Sequence, residues 1–217
     1  TLLAEKPDSA VPSVACSTPV RKVAWLISGW SSPGLEWKIS PIPGMLRKGG
    51  WEVREFRPKG FGWGDIRDAG HRLFDEISKE KAKGRADEVA VIGYSMGGLI
   101  GFEADLLTNA KSVDWCFDYL ITLGTPHRGT QIARLAPWSK SARQMVPGNE
   151  FLYIHDLMVP NAQLFCVGGF LDFVVRPHRA AQGAADVVLF IDHTHISMVL
   201  SKTVGRAVIS FLKSKAK

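Results

Sequence analysis

Ser95 stands in Gly93-Tyr94-Ser95-Met96-Gly97-Gly98, directly after the apolar run Val89-Ala90-Val91-Ile92. A serine hydroxyl is a weak nucleophile until it is held clear of the chain, beside a base and beside donors for the oxyanion it creates. Gly93 and Gly97 permit a sharp turn in which larger side chains would strike neighbouring backbone, leaving the hydroxyl exposed. The apolar run before Ser95 reads as a buried strand, and Leu99 to Leu107 as the helix that follows. Such a strand, turn and helix serve acyl transfer through a serine ester.

That chemistry needs a histidine to take the hydroxyl proton and a carboxylate to orient it. Asp172 supplies the acid, because in Gly168-Gly169-Phe170-Leu171-Asp172 the glycines let the chain turn beyond a strand end. The base falls in Asp192-His193-Thr194-His195-Ile196-Ser197-Met198, after the last strand. His195, at the threshold of the closing helix, is preferred, with His193 as the alternative. His127 precedes Asp172 and breaks the expected order of serine, acid and histidine. His71, His155 and His178 read as helix or loop histidines without chemistry. One oxyanion donor is the Met96 amide, at a helix start. The other is the Trp30 amide, in the Ser28-Gly29-Trp30-Ser31 loop after the first core strand.

The elements that position these residues alternate along the chain. Val23 to Ile27, Glu52 to Phe56, Tyr119 to Leu123, Gln163 to Val167 and Val187 to Ile191 read as strands. All but the half-exposed second are apolar enough to be covered on both faces. A helix capped by Asp65 and ended by Gly84 buries Ile66, Leu73, Phe74 and Ile77, and a last helix runs from about Ile196 to Phe211. Strands alternating with helices imply a mainly parallel sheet with ligands at the carboxyl ends of its strands. Residues 129–160 are too apolar for a linker and form a small helical cap, one wall of the site, or ordinary helices packed on the sheet face. Trp30, Trp37, Phe61, Trp63 and Tyr94 are candidates to line an acyl pocket.

With 217 residues, 46% of them hydrophobic, the chain fills one core and is short for two. An N-terminal arm over 1–20 and a single domain over 21–217 follow. The net charge of +6 is scattered, its C-terminal lysines read as a solvated tail, and no nucleic-acid motif is present. The charge favours at most an anionic surface or substrate. No apolar run is long enough to cross a bilayer, so a soluble protein is expected. Cys16, Cys116 and Cys166 are too widely spaced for a disulfide framework or a zinc site, which fits a reducing, cytoplasmic compartment.

From Val23 to Phe211 the chain resembles the α/β-hydrolase superfamily, and within it the small bacterial lipases and esterases. The resemblance rests on Ser28-Gly29-Trp30, the Ser95 elbow, Leu123-Gly124-Thr125-Pro126-His127-Arg128-Gly129, the Asp172 segment and His195-Ile196-Ser197-Met198. It implies an α/β-hydrolase fold with at most a small cap, and hydrolysis of a small-molecule or lipid acyl ester through an acyl-enzyme without a cofactor. A thioesterase, phospholipid deacylase or acyltransferase would use the same triad, and a binding protein on this fold is the non-enzymatic alternative. Ser28 departs from the histidine usual before Gly29. An Asp-His-x-x-Ile arrangement, found in some lipase-like members, would select His193 as the base.

Overall fold

The computed structural model describes residues 20–111, 117–183 and 185–215. The expected arm before Val20, and Cys16 and Cys116, lie outside them. In chain order the elements are β1 (Lys22–Ile27), α1 (Leu35–Ile39), α2 (Ile42–Lys48), β2 (Trp51–Phe56), α3 (Ile66–Ala82), β3 (Glu88–Tyr94) and α4 (Met96–Ala110). There follow β4 (Tyr119–Leu123), α5 (Lys140–Gln144), α6 (Glu150–Leu157), β5 (Gln163–Gly169), β6 (Asp186–Phe190), α7 (His195–Leu200) and α8 (Lys202–Lys215).

The six strands form one sheet in the order β2-β1-β3-β4-β5-β6, and every neighbouring pair is parallel. Alternation along the strands divides the core in two. Val23, Trp25, Ile27, Val89 and Val91 pack beneath α3 and α4, whereas Ala24, Leu26, Ala90 and Ile92 face α2 and α8. On the second face Phe165 stacks on Phe211 at 4.7 Å. Asp65 caps α3 by accepting from the Arg67 amide at 2.8 Å, and Ile66, Leu73, Phe74 and Ile77 are all buried. Register sets Ile27 beside Gly93, Tyr94 beside Leu123 and Leu123 beside Val167. The loops leaving β1, β3, β4 and β5 therefore depart from one edge.

Three expectations are corrected. β6 is the outermost strand and is not covered on both faces, since Val187 and Leu189 are exposed. The closing helix is two helices broken at Ser201, whose backbone is extended and whose hydroxyl accepts from the Thr203 and Val204 amides to start α8. Lys213 and Lys215 belong to the last turn of α8, and Lys215 pairs with Asp186 at 3.3 Å. Among the described residues no helix is long and apolar enough to cross a membrane.

Asp105, buried on α4, ties that helix to the chain entering β5 by accepting from the Asn161 amide at 2.5 Å and the Ala162 amide at 3.1 Å. Burial pushes its carboxyl up to about 6, against the pull of those amides. A group whose proton is held more tightly in the fold adds stability below its unfolded value, and that stability is lost as pH rises through the folded one. Between about pH 4 and pH 6 the wild type should lose up to about 3 kcal/mol relative to Asp105→Asn. Urea titrations of both proteins across that range read the difference, and a constant gap would refute it.

Candidate active site

Ser95 occupies the single residue between β3 and α4 with φ at 53°, in the left-handed region that costs a side chain on the order of 1–3 kcal/mol. Hydrogen bonds on both sides hold it there. Its amide donates to the Leu123 carbonyl at 2.8 Å, and its carbonyl accepts from the Gly98 amide at 3.1 Å and from the Thr125 hydroxyl at 2.8 Å. A Cβ at Gly93 would run into the Gly98 amide, one at Gly97 into the Ile27 carbonyl, and one at Gly98 into Thr125. Bare backbone at all three is what lets strand, turn and helix close around the serine.

His195 opens α7, fixed by a capping box in which Thr194 and Ser197 satisfy each other's amides. Its Nδ1 donates to Asp172 Oδ2 at 2.7 Å, which leaves Nε2, 3.0 Å from Ser95 Oγ, free to accept the hydroxyl proton. Asp172 is buried, and its other oxygen accepts from the Val174 and Val175 amides at 2.9 and 2.8 Å. One oxygen is thus pinned by backbone and the other aimed at the imidazole. The Tyr94 ring lies 5.2 Å from that of His195, and burial together with nearby carboxylates raises its phenol.

The other histidines are engaged elsewhere or lie at the surface. His193 pairs with Asp192 at 2.7 Å, and its carbonyl accepts from the Leu171 amide at 3.2 Å, which braces the loop leading to Asp172. His127 is buried against Thr122 at 3.1 Å and Cys166 at 3.6 Å, and burial pushes its pKa down to about 3. Burial raises the Cys166 thiol as well, so this neutral pair is inert packing. His155 is a buried helix residue of α6, 2.7 Å from Glu103 and against the Phe151 ring at 4.1 Å. His71 and His178 are exposed.

Trp30 and Met96 flank the serine. Met96 is the first residue of α4, and a Cβ on Gly29 would lie 3.2 Å from that of Ser95. Among the described residues neither the Trp30 nor the Met96 amide has an acceptor. Ser28 is buried, and among the described residues its hydroxyl finds no partner. The loop takes its shape instead from Ser31, whose amide donates to Phe61 at 2.8 Å and whose hydroxyl accepts from the Trp63 indole at 2.7 Å. The Trp30 indole completes this support by donating to Ser139 at 3.0 Å.

A cavity of about 180 Å³ opens at Ser95 and His195, walled by Trp30, Tyr94, Ile132, Ala133, Ala136 and Met145 among others. Residues 131–145, a 3₁₀ turn followed by α5, form one side of it, while α6 packs on the sheet face. Of the five candidate aromatics only Trp30 and Tyr94 reach the cavity. Trp37 is buried in the core on the face of α2 and α8, and Phe61 and Trp63 are turned to solvent. A larger cavity of about 320 Å³ beside α3 touches Met96 but not Ser95. Among the described residues no cluster of His, Cys, Asp or Glu could hold a metal ion.

Solved structures share this arrangement of elements. A Bacillus licheniformis lipase in mature form superposes with a TM-score of 0.67 at 18% identity, over 91% of this chain and 92% of that one. The chain has the α/β-hydrolase fold. An Aspergillus fumigatus lipase B shares the fold with a TM-score of 0.72 at 18% identity, over 89% of this chain and 52% of its own. This chain thus spans about half the length of that lipase. A Pyrococcus furiosus esterase matches at 0.63 and 18% identity, over 90% and 83%. A family model described as "Putative serine esterase" matches residues 54–145, from β2 through the elbow to the end of α5 and short of Asp172 and His195. No curated protein matches the sequence.

Thr125 was not legible as part of this α/β-hydrolase site, because nothing in the sequence says that its hydroxyl reaches the Ser95 carbonyl. Thr125→Val keeps the shape and removes the donor. Leaving the carbonyl short of a partner should cost about 1–3 kcal/mol in chemical denaturation, and an unchanged midpoint would show that this bond does not hold the elbow.

Proposed function

We propose that the chain hydrolyses carboxylic esters through an acyl-enzyme on Ser95. The observation that carries this reading is the unbroken row from Ser95 Oγ to His195 at 3.0 Å and on to Asp172 at 2.7 Å. Ser95 attacks the acyl carbonyl as His195 Nε2 takes its proton, and Asp172 stabilises the imidazolium. The Met96 and Trp30 amides receive the oxyanion, each such donor being worth about 3 kcal/mol in the transition state. His195 then protonates the departing alcohol, and water, activated by the same imidazole, releases the acid. On this reading residues 21–217 work as one domain, in which 131–145, within the 129–160 segment, provide a wall of the site. The family description of residues 54–145 and the lipases and esterase that share the fold support an ester substrate.

A fluorophosphonate should label the protein once, at Ser95, by intact mass and peptide mapping. Ser95→Ala should abolish labelling, and folded wild type that stays unlabelled would refute the reading. His195→Ala should lower kcat/KM at least about a thousandfold, while His193→Ala should retain activity within a few-fold. The reverse pattern would move the base to His193.

The small apolar cavity points to short acyl groups. Across p-nitrophenyl esters, kcat/KM should be highest for short chains and fall steeply by palmitate. Ala133→Phe should shift the optimum shorter still, and a maximum at palmitate in the wild type would contradict the assignment of this cavity to the acyl group.

A further inference from the structure

A second cleft, of about 300 Å³, adjoins the cavity at Ser95 and shares Thr130, Ile132 and Val174 with it. Its polar lining is Gln131, Arg176, His178 and Arg179, with no carboxylate among its lining residues. Arg176 and Arg179 bracket a 3₁₀ turn in which the Arg179 amide donates to the Arg176 carbonyl at 2.8 Å. Residues three apart on such a turn fall on one side of it, so both guanidinium groups serve the same cleft. Among the described residues Arg176 has no carboxylate within salt-bridge distance. Arg179 spends one N–H on the Arg128 carbonyl at 2.7 Å, and Arg128 itself is paired with Asp156 at 3.5 Å. Two arginines lining one cleft without a counter-charge there are served by an anion, which can accept from both forks.

We propose that this cleft is a subsite for an anionic group, of the phosphate type, carried by the part of the ester that does not fill the apolar cavity. The proposal rests on the esterase reading for its substrate and not for its site. The turn bearing the arginines leaves the same loop as Asp172, whose Oδ1 accepts from Val174 and Val175. The Thr130 hydroxyl bonds the Val174 carbonyl, and both residues line the cavity at Ser95 as well as this cleft. A phosphate held here would place the ester it is attached to over Ser95. That phosphate could belong to a soluble phosphorylated ester or to a phospholipid headgroup in a bilayer.

The test compares hydrolysis of butyryl esters of glycerol and of glycerol phosphate in solution, and binding to phosphatidylglycerol vesicles by co-sedimentation, on wild type, Arg176→Gln and Arg176→Glu. For the phosphate-bearing soluble ester, Arg176→Gln should lower kcat/KM about tenfold, the worth of one charge-assisted bond. Arg176→Glu should lower it further, and the uncharged glycerol ester should change less than about twofold in both. A loss confined to vesicles would assign the subsite to a headgroup in a bilayer, and a loss on the soluble ester to the phosphate itself. Equal losses on the charged and uncharged soluble esters, or no loss on either soluble ester and none on vesicles, would overturn the proposal. Should no ester be cleaved by wild type, titration with inorganic phosphate still decides the cleft. Heat on mixing with wild type and none with Arg176→Glu supports it, and no binding to wild type overturns it.

Discussion

The left-handed backbone at Ser95 is the constraint to which the rest of the molecule is fitted. A non-glycine residue stays in that region only where its surroundings leave it no alternative. Here the surroundings are a β4 carbonyl and a threonine hydroxyl bonded to its two peptide groups, with glycines where strand, helix and the end of β1 come closest. Parallel register brings β4 to the right height, and packing on both faces of the sheet keeps it there. The core thus maintains a conformation that the turn alone would abandon.

Around that point each strand end contributes something different. The loop after β1 brings Trp30 close, the loop after β4 brings Thr125, the loop after β5 brings Asp172, and the short connection after β6 delivers His195 on a capped helix. The acid and the base come from neighbouring strands at the far side of the sheet from β2. Their alignment therefore depends on β5 and β6 staying paired, although β6 is an exposed edge.

Much of this could be read from residue order. The apolar runs before Ser95, Asp172 and His195 marked strand ends, and the expected order of serine, acid and histidine set His127 aside as the base. Of the side chains read as nucleophile, acid and preferred base, His195 lies within hydrogen-bond reach of both Ser95 and Asp172. What was not legible depends on direction in space. Apolar content cannot say that Val187 and Leu189 sit on an uncovered strand, or that Trp37 faces a different core from Trp30. Nor does spacing reveal that His155 meets Glu103 across two helices. The break at Ser201 did carry a signal, a serine in N-cap position ahead of Thr203 and Val204, hidden by the apolar pattern that runs through it.

Surface loops ordinarily tolerate added or lost residues. The span from Asp172 to Arg179 should not. Its third and fourth residues are latched to its first through the carboxylate, its third is also tied to Thr130, and its end is closed into a 3₁₀ turn. Lengthening it by even one residue would slide the amides off Asp172, so this stretch can be remodelled by exchange of side chains but not by change of length. Among a set of descendants of this chain, its length should be as invariant as a metal-binding loop, while its exposed side chains diverge.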